Sequence, residues 1–381
     1  MTAYRPIEIN TKQLKRKFLD LPEIIYKDYP SWVPPLDVEM KDRIDPRKNP
    51  FFEYGKVTLW GVLNNKNHLI ARGAAILNPR HNKKHNDKTG FFGLFECIND
   101  TEAASCLFDR IKKELKEWTC DKMVGPVNFT TNDESGFLIK GFDSMPAFMT
   151  NYSPPYYRDL MESLGFKKEV DLYSYKWDFR HQYPPLFKKI IARLEKNSSM
   201  KIRRINRKEL TKELAIIREV YNTSFSHVWG FVPITEKEAE EMGKAFTLFA
   251  DDDLILFAEY NNKPIGFCLT LPDMNEVIKS IGGRLFPFGI IRLLRKRKKV
   301  KKARNLVLCV HPDYRMSGAA PYLVYKTHKN GIKNGYTTCE VAVVLELNHK
   351  VRSLLEKLQF KIIKEYRLYQ SPLYDPGEIH K

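Results

Sequence analysis

The stretch 306–320, LVLCVHPDYRMSGAA, has the residue types and the spacing to hold a phosphate-bearing ligand. An apolar strand ends at Pro312, a short polar loop follows, and a helix opens near Gly318. Arg315, Gly318 and Ala320 stand at the spacing Arg-x-x-Gly-x-Ala. Small residues let backbone amides approach an anion closely, and the first N–H groups of a helix have no intrahelical acceptor, so the two together bind a pyrophosphate. An ordinary strand–turn–helix with a glycine for its turn has the same outline, and six residues alone do not separate the two. Other chemistry is poorly supplied. Cys97, Cys106, Cys120, Cys268, Cys309 and Cys339 form no CxxC and no Cys/His cluster, so no metal site is expected, and reduced, buried thiols are. Cys309 lies on the strand before the loop without a His–acid pair to activate it, which argues against a covalent intermediate.

The elements that would position this loop follow from periodicity. The chain has 381 residues, 43 % hydrophobic and 12 % aromatic, ample for cores and for two domains. The segment 11–28 reads as an amphipathic helix, 57–77 as two strands joined by a polar turn, 91–98 as a strand, and 101–118 as a helix capped from Asn99-Asp100-Thr101. A short strand (KMVGPVNF), a helix (PPYYRDLMESLGF) and a strand (VDLYSYKWDF) complete the half. The second half repeats the order: helix 184–197, strand MKIRRIN, a helix ending NTSF, and a helix opening at Thr235 with Glu238 at capping-box spacing. Hairpin 254–273, strand 305–312, helix 319–334, strand 337–347, helix HKVRSLLEKLQF and strand IIKEYRLYQ close it. The expectation is a tandem α/β chain, each half a mixed, partly parallel sheet with flanking helices, divided near 180 into 1–180 and 181–381.

Charge adds a second signal. Lys and Arg number 64 against 46 acids, and the excess is +3 over residues 1–180 but +15 over 181–381. Nine basic residues and no acid fill 292–304, within a 274–304 insertion that also carries Leu285, Phe286, Phe288, Ile290, Ile291, Leu293 and Leu294. Such a segment suits an anionic membrane surface or RNA; a solvated helix explains the charges alone. No apolar run reaches the roughly 18 residues of a membrane span, and MTAYRPIEIN is not a signal segment, so a cytoplasmic protein is expected.

The loop and its surroundings resemble the acyl-CoA-binding signature of the GNAT superfamily of N-acyltransferases. Val310, Pro312 and Tyr314 precede Arg315 as they commonly do there, and Asn348 opens a helix ending in Leu358-Gln359-Phe360, similar to the family's Asn…Gly-Phe segment. The resemblance covers about 200–370. It implies that the backbone of Cys309 and Val310 pairs with the pantetheine arm. The amides of Arg315, Met316, Ser317, Gly318, Ala319 and Ala320 would hold the pyrophosphate, and Asn348 would lie beside the arm. Departures matter equally: the family's general-acid Tyr falls on Leu355, its Gly before the terminal Phe on Gln359, and its second loop Gly on Ala320. The corresponding junction of the first half, CINDTEAAS (97–105), has no Gly or Arg at the needed spacing, and Asp100 and Glu102 would repel a pyrophosphate. That half reads as a degenerate, non-catalytic copy.

The resemblance implies an acyl-CoA-dependent N-acyltransferase, with acetyl-CoA the default donor and a longer acyl-CoA equally compatible, acting on an unidentified amine. Attack by an amine on a thioester needs a base. Glu346 is the candidate, on strand phase with Glu340, Ala342 and Val344; a Glu in solvent is the plain alternative. Tyr366 or Tyr369 could replace the missing acid, or simply pack. Trp229 and Phe231 would line the acceptor pocket or staple a core, and neighbouring His227 is a second possible base. Two rival readings stand beside this one: a tandem aminoacyl-transferase using charged tRNA, which an intact pyrophosphate loop argues against, and a non-catalytic acyl-CoA-, nucleic-acid- or membrane-binding module.

Overall fold

The computed structural model describes residues 4–375, leaving aside the side chains of 244–248 and Ala342. The chain divides into two compact units, one of residues 4–172, 278–289 and 364–375, the other of residues 173–277 and 290–363.

The N-terminal unit begins with β1 (Arg5–Glu8) and α1 (Lys12–Ile25), which Thr11 caps by accepting the Leu14 amide at 3.2 Å. There follow α2 (Asp37–Arg43), β2 (Lys56–Leu63), β3 (Leu69–Leu77), α3 (Pro79–His85), β4 (Thr89–Cys97), α4 (Thr101–Glu117), β5 (Lys122–Gly125), β6 (Phe137–Lys140), α5 (Tyr156–Ser163) and β7 (Lys167–Asp178), whose residues up to Leu172 belong to this unit. Strands β1 to β4 run antiparallel, and β4 pairs β5 in parallel. Its core gathers the apolar faces of β4 and α4, with Phe92, Phe95, Phe108, Phe137, Phe166 and Tyr157 in mutual contact.

The C-terminal unit repeats this order. It holds α6 (Pro185–Glu195), β8 (Met200–Arg204), α7 (Leu210–Ser224), α8 (Glu236–Phe249), β9 (Ile255–Tyr260), β10 (Lys263–Pro272), and, after α9 (Asn275–Ser280) and α10 (Gly289–Arg297), β11 (Lys302–Val310), α11 (Ala319–Lys333), β12 (Thr338–Leu345) and α12 (His349–Lys357). Strands β8 to β11 are antiparallel, and β11 pairs β12 in parallel. Asn261 and Asn262, at φ 49° and 62°, form a two-residue β9–β10 turn, shorter than the Asn261-Asn262-Lys263-Pro264 turn expected from the sequence, because Lys263 and Pro264 already pair with Tyr260 and Glu259. The predicted capping box is made: Glu238 N donates to Thr235 Oγ1 at 3.1 Å, and Thr235 N to Glu238 Oε2 at 2.7 Å. Trp177, Phe179, Leu323 and Phe360 anchor the core, and a Cβ on Gly331 would come within 2.2 Å of the Phe179 ring, so α11 packs there only with glycine. The last strand, β13 (Lys361–Pro372), pairs β5 and β6 antiparallel from Glu365 to Pro372.

The mixed α/β architecture is the expected one. The elements missing from the periodic reading are β1, α2, α3, β6 and α9, each four to seven residues long and too short to show a repeat. Residues 278–289 of the insertion pack within the N-terminal unit: the Asp37 amide donates to the Gly283 carbonyl at 3.0 Å, and Lys279 Nζ donates to the Pro30 carbonyl. Gly283, at φ +70°, lies so close to the Pro35 carbonyl that a Cβ would sit 2.3 Å from it.

α12 ends with Gln359 at φ +63°, while the Phe360 amide donates to the Leu355 carbonyl at 2.9 Å, a helix C-cap that favours glycine. Gln359→Gly is expected to stabilise the protein by about 0.5–1 kcal/mol. Urea denaturation monitored by circular dichroism would check this; a destabilised variant would mean that the Gln359 side chain contributes contacts outweighing the strain.

Candidate functional site

The strand, turn and glycine-capped helix that the spacing predicts are present. Strand β11 ends at Val310, one 3₁₀ turn spans Pro312–Tyr314, and Gly318 caps α11 at φ +85°. An added Cβ there would lie 2.9 Å from the movable Leu194 Cδ2, so it is the backbone conformation that calls for glycine. The loop amides divide in alternation. Arg315 N donates to the Pro312 carbonyl, Ser317 N to the Tyr314 carbonyl, and Ala319 N to Ser317 Oγ at 3.2 Å. Pro321 has no amide, and Tyr322 N closes the first helical turn on Gly318. Among the described residues, no hydrogen bond engages the amides of Met316, Gly318 and Ala320. Of the six loop amides expected at an anion, these three are available without breaking a bond. Arg315 turns its guanidinium elsewhere: Nη2 donates to the Ser224 carbonyl, at the end of α7, at 3.2 Å and to His227 Nε2 at 3.3 Å. A cation over the last carbonyls of a helix is favourable, and it ties the loop to α7. Burial, then the charges of Arg315 and Lys350, lowers the His227 pKa, so its imidazole is neutral at pH 7 and can accept that bond.

Beside the loop, the sheet forks. The described register of β11 with β12 runs from Lys302↔Thr338 to Asn305↔Val341, while β11 continues to Val310 and β12 to Leu345. On its other edge β11 stays paired with β10 up to Val310↔Gly266, with a bulge at Leu269/Thr270. Asn305 sits at the branch, 8 % exposed, its amide donating to Thr270 Oγ1 at 3.0 Å and to the Leu269 carbonyl at 3.2 Å. Above it, Leu306, Val307 and Leu308 are only half-buried although they lie in an interior strand, and Val343 across the fork is 41 % exposed. Apolar strand interiors are ordinarily covered on both sides. Among the described residues no β11–β12 pairing follows Asn305↔Val341, and the half-buried Leu306–Leu308 leave an apolar surface beside that edge.

The N-terminal unit has the same fork with its own chain in it. β4 and β5 pair only from Thr89↔Lys122 to Phe91↔Val124. Beyond, Val127 N donates to the Phe92 carbonyl at 2.8 Å, and Asn128 Oδ1 accepts the Leu94 amide at 3.0 Å. Gly93 approaches so closely that a Cβ would sit 2.1 Å from the Val127 carbonyl. Residues 89–95 are accordingly all buried. At the helix start, Asp100 takes the place of an external anion: Oδ1 accepts the Ala103 amide at 2.9 Å, and Oδ2 accepts the Tyr4 hydroxyl at 2.5 Å. Asp100 was legible in the sequence; Asn128 and Val127 were not, because no local pattern marks a loop that folds back on a strand edge.

The remaining predicted residues scatter. Glu346 lies one residue past the end of β12, half-buried in a turn, so strand alternation does not set its direction; Arg352 Nη1 donates to its carbonyl at 3.1 Å. Glu340 accepts the Ser174 hydroxyl at 2.5 Å. Asn348 caps α12, accepting the Val351 amide at 3.4 Å, and Leu355 is a core residue. Phe231 is 4 % exposed against Tyr221 and Phe225, whereas Trp229 is half-buried. Burial pushes the Cys309 thiol well up, so it stays protonated. Tyr366 and Tyr369 belong to the N-terminal unit, each 1 % exposed, with Tyr366 opposite Leu138 in the β13–β6 ladder. Among the described residues no helix is long and apolar enough to cross a membrane, and no group of His, Cys, Asp and Glu could hold a metal ion.

Two mixed α/β units in series, with a forked parallel strand pair over a glycine-capped helix, define a tandem fold of the GNAT kind. The Acetyltransferase (GNAT) family matches residues 214–360. Protein YghO of Escherichia coli (strain K12) is 32 % identical over 373 residues, 96 % of this chain and 94 % of that one. A bacterial ceramide synthase of Caulobacter vibrioides (strain NA1000 / CB15N) is 29 % identical over 375 residues, 96 % and 97 % of the two chains. Among solved structures, a tandem GNAT protein from the clavulanic acid biosynthesis pathway superposes with a TM-score of 0.58 at 10 % identity, over 99 % of this chain and 100 % of its own. A GCN5-related N-acetyltransferase from Sphaerobacter thermophilus gives 0.54 at 11 %, over 98 % and 96 %; at such identities the likeness is one of fold. The chain belongs to the GNAT acetyltransferase family, whose members use an acyl-CoA as co-substrate.

Proposed function

We propose that the C-terminal unit binds an acyl-CoA at the β11 edge and the 316–320 amides, and that the protein transfers the acyl group to the primary amine of a long-chain amino alcohol. The observation that carries the first part is the contrast between the forks: Leu306–Leu308 half-buried in one, residues 89–95 fully buried under Val127 and Asn128 in the other. A pyrophosphate fits the three unengaged amides at the positive end of α11, and a pantetheine amide fits the open edge of β11. By the same contrast, the N-terminal unit is a non-catalytic copy.

Transfer joins the amine nitrogen to the thioester carbonyl carbon and releases the CoA thiol, so the amine proton needs an acceptor. Glu346, at the mouth of β12, is the residue we assign to it. Cys309 stays a spectator, because a protonated buried thiol is a poor nucleophile. The acceptor class rests on the likeness to a bacterial ceramide synthase along 96 % of the chain, ceramide being the amide of a fatty acid with a long-chain amino alcohol. Apolar side chains at the fork, Leu306, Val307, Leu308 and Val343, suit acyl chains longer than acetyl.

The test is turnover of the full chain with acetyl-CoA and palmitoyl-CoA against sphinganine, a polyamine and an amino sugar, reading thiol release and amide mass. Palmitoyl transfer to sphinganine is the expected result. Acetyl transfer to a small amine would keep the acyltransferase and overturn the acceptor class. Tight CoA binding without turnover on any amine would favour the non-catalytic reading, which the buried Leu355 at the family's acid position also favours.

A further inference from the structure

The segment 286–299 sets exposed apolar side chains in an unbroken positive field. Phe286 is 72 % exposed and Phe288 69 %; on α10, Ile291 is 46 % and Leu294 44 % exposed. Leu293 is fully buried, so the helix is anchored by that face and cannot roll over to hide Ile291 and Leu294. At helical spacing Ile291 is the neighbour of both Leu294 and Arg295. No Asp or Glu stands between Glu276 and Asp313, while Arg292, Arg295, Lys296, Lys298 and Lys299 are all exposed.

Each simple explanation covers only half of this. A solvated basic helix accounts for the charges and leaves four large hydrophobics in water. A nucleic acid would neutralise the charges and still leave Phe286, Phe288, Ile291 and Leu294 without a partner. A bilayer with anionic headgroups accepts both: Phe and aliphatic tips enter the headgroup–acyl boundary while Lys and Arg meet phosphates. The lengths match, since an interfacial helix inserts by one short apolar face and need not span. We propose that this segment docks the protein on the anionic surface of a lipid bilayer. Docking of this kind requires no acyl transfer, and its test therefore reads binding alone.

The full-length protein is sedimented with vesicles of phosphatidylglycerol and phosphatidylcholine, with pure phosphatidylcholine vesicles, and with an RNA oligomer, at low and at physiological salt. Retention on the anionic vesicles is expected, with little on pure phosphatidylcholine. Phe288→Ser with Ile291→Ser leaves every charge in place and is expected to weaken vesicle binding about tenfold or more. Both positions are exposed, so circular dichroism should be unchanged. The indole introduced by Phe288→Trp should shift its emission to the blue on adding vesicles and be quenched by brominated lipid. Failure of the wild type to bind anionic vesicles at low salt would overturn the proposal. So would a Phe288→Ser, Ile291→Ser protein that binds as tightly as wild type, an unshifted indole on bound vesicles, or an affinity for RNA exceeding that for vesicles.

Discussion

Gly318→Glu is expected to lower CoA affinity about a hundredfold or more, read by calorimetry on the folded variant. Two effects act together. A side chain at φ +85° costs about 1–2 kcal/mol in backbone strain, and its Cβ meets Leu194 at 2.9 Å. The carboxylate then stands at the helix start where the diphosphate would sit, and like charges about 4 Å apart repel by roughly 4 kcal/mol near a protein surface. Gly318→Ala separates the contributions, retaining strain without charge, and should cost less. Asp100→Ala in the N-terminal unit should leave CoA affinity unchanged, because the amides it caps have no external anion to hold. Wild-type affinity in a correctly folded Gly318→Glu protein would refute the placement of the pyrophosphate.

Glu346→Gln should cut turnover by roughly 10²–10⁴-fold with CoA affinity nearly constant, since a positioned base contributes that much and the cofactor contacts come from backbone. Arg352 has a supporting role: it holds the Glu346 carbonyl at 3.1 Å while stacking over Tyr173, so the turn carrying Glu346 is fixed in place. Full activity in Glu346→Gln combined with loss in His227→Gln would transfer the role to His227, whose neutral imidazole is tied to Arg315.

Much of the molecule is written in local chemistry. The strand–turn–helix at 310–320 needed only Arg315, Gly318 and the small residues after it, because helix N-terminal amides and left-handed backbone are properties of a few consecutive residues. The capping box of Thr235 and Glu238, the Asn261-Asn262 turn and the repeated strand–helix order were equally visible, each being decided within a few residues. The unsuitability of Asp100 for a pyrophosphate site could be read from its charge alone.

What only the tertiary structure decided depends on residues far apart in the chain. The opening of the β11–β12 fork and the closing of the β4–β5 fork are set by which segment reaches a free strand edge, and Val127 and Asn128 reach theirs from a loop some thirty residues away from Phe92 and Leu94. The assignment of Tyr366 and Tyr369 to the N-terminal unit follows from β13 pairing with β5, across more than two hundred residues. Glu346 fell outside the strand whose phase was to orient it, since β12 stops at Leu345. Arg315 was read as offering its backbone amide to an anion; that amide donates to the Pro312 carbonyl at 3.3 Å, and the guanidinium is bonded to Ser224 and His227. Backbone propensity and charge act over a turn or a strand, so the sequence alone reveals them; edge pairing and side-chain anchoring depend on long-range closure of the chain, which no local pattern encodes.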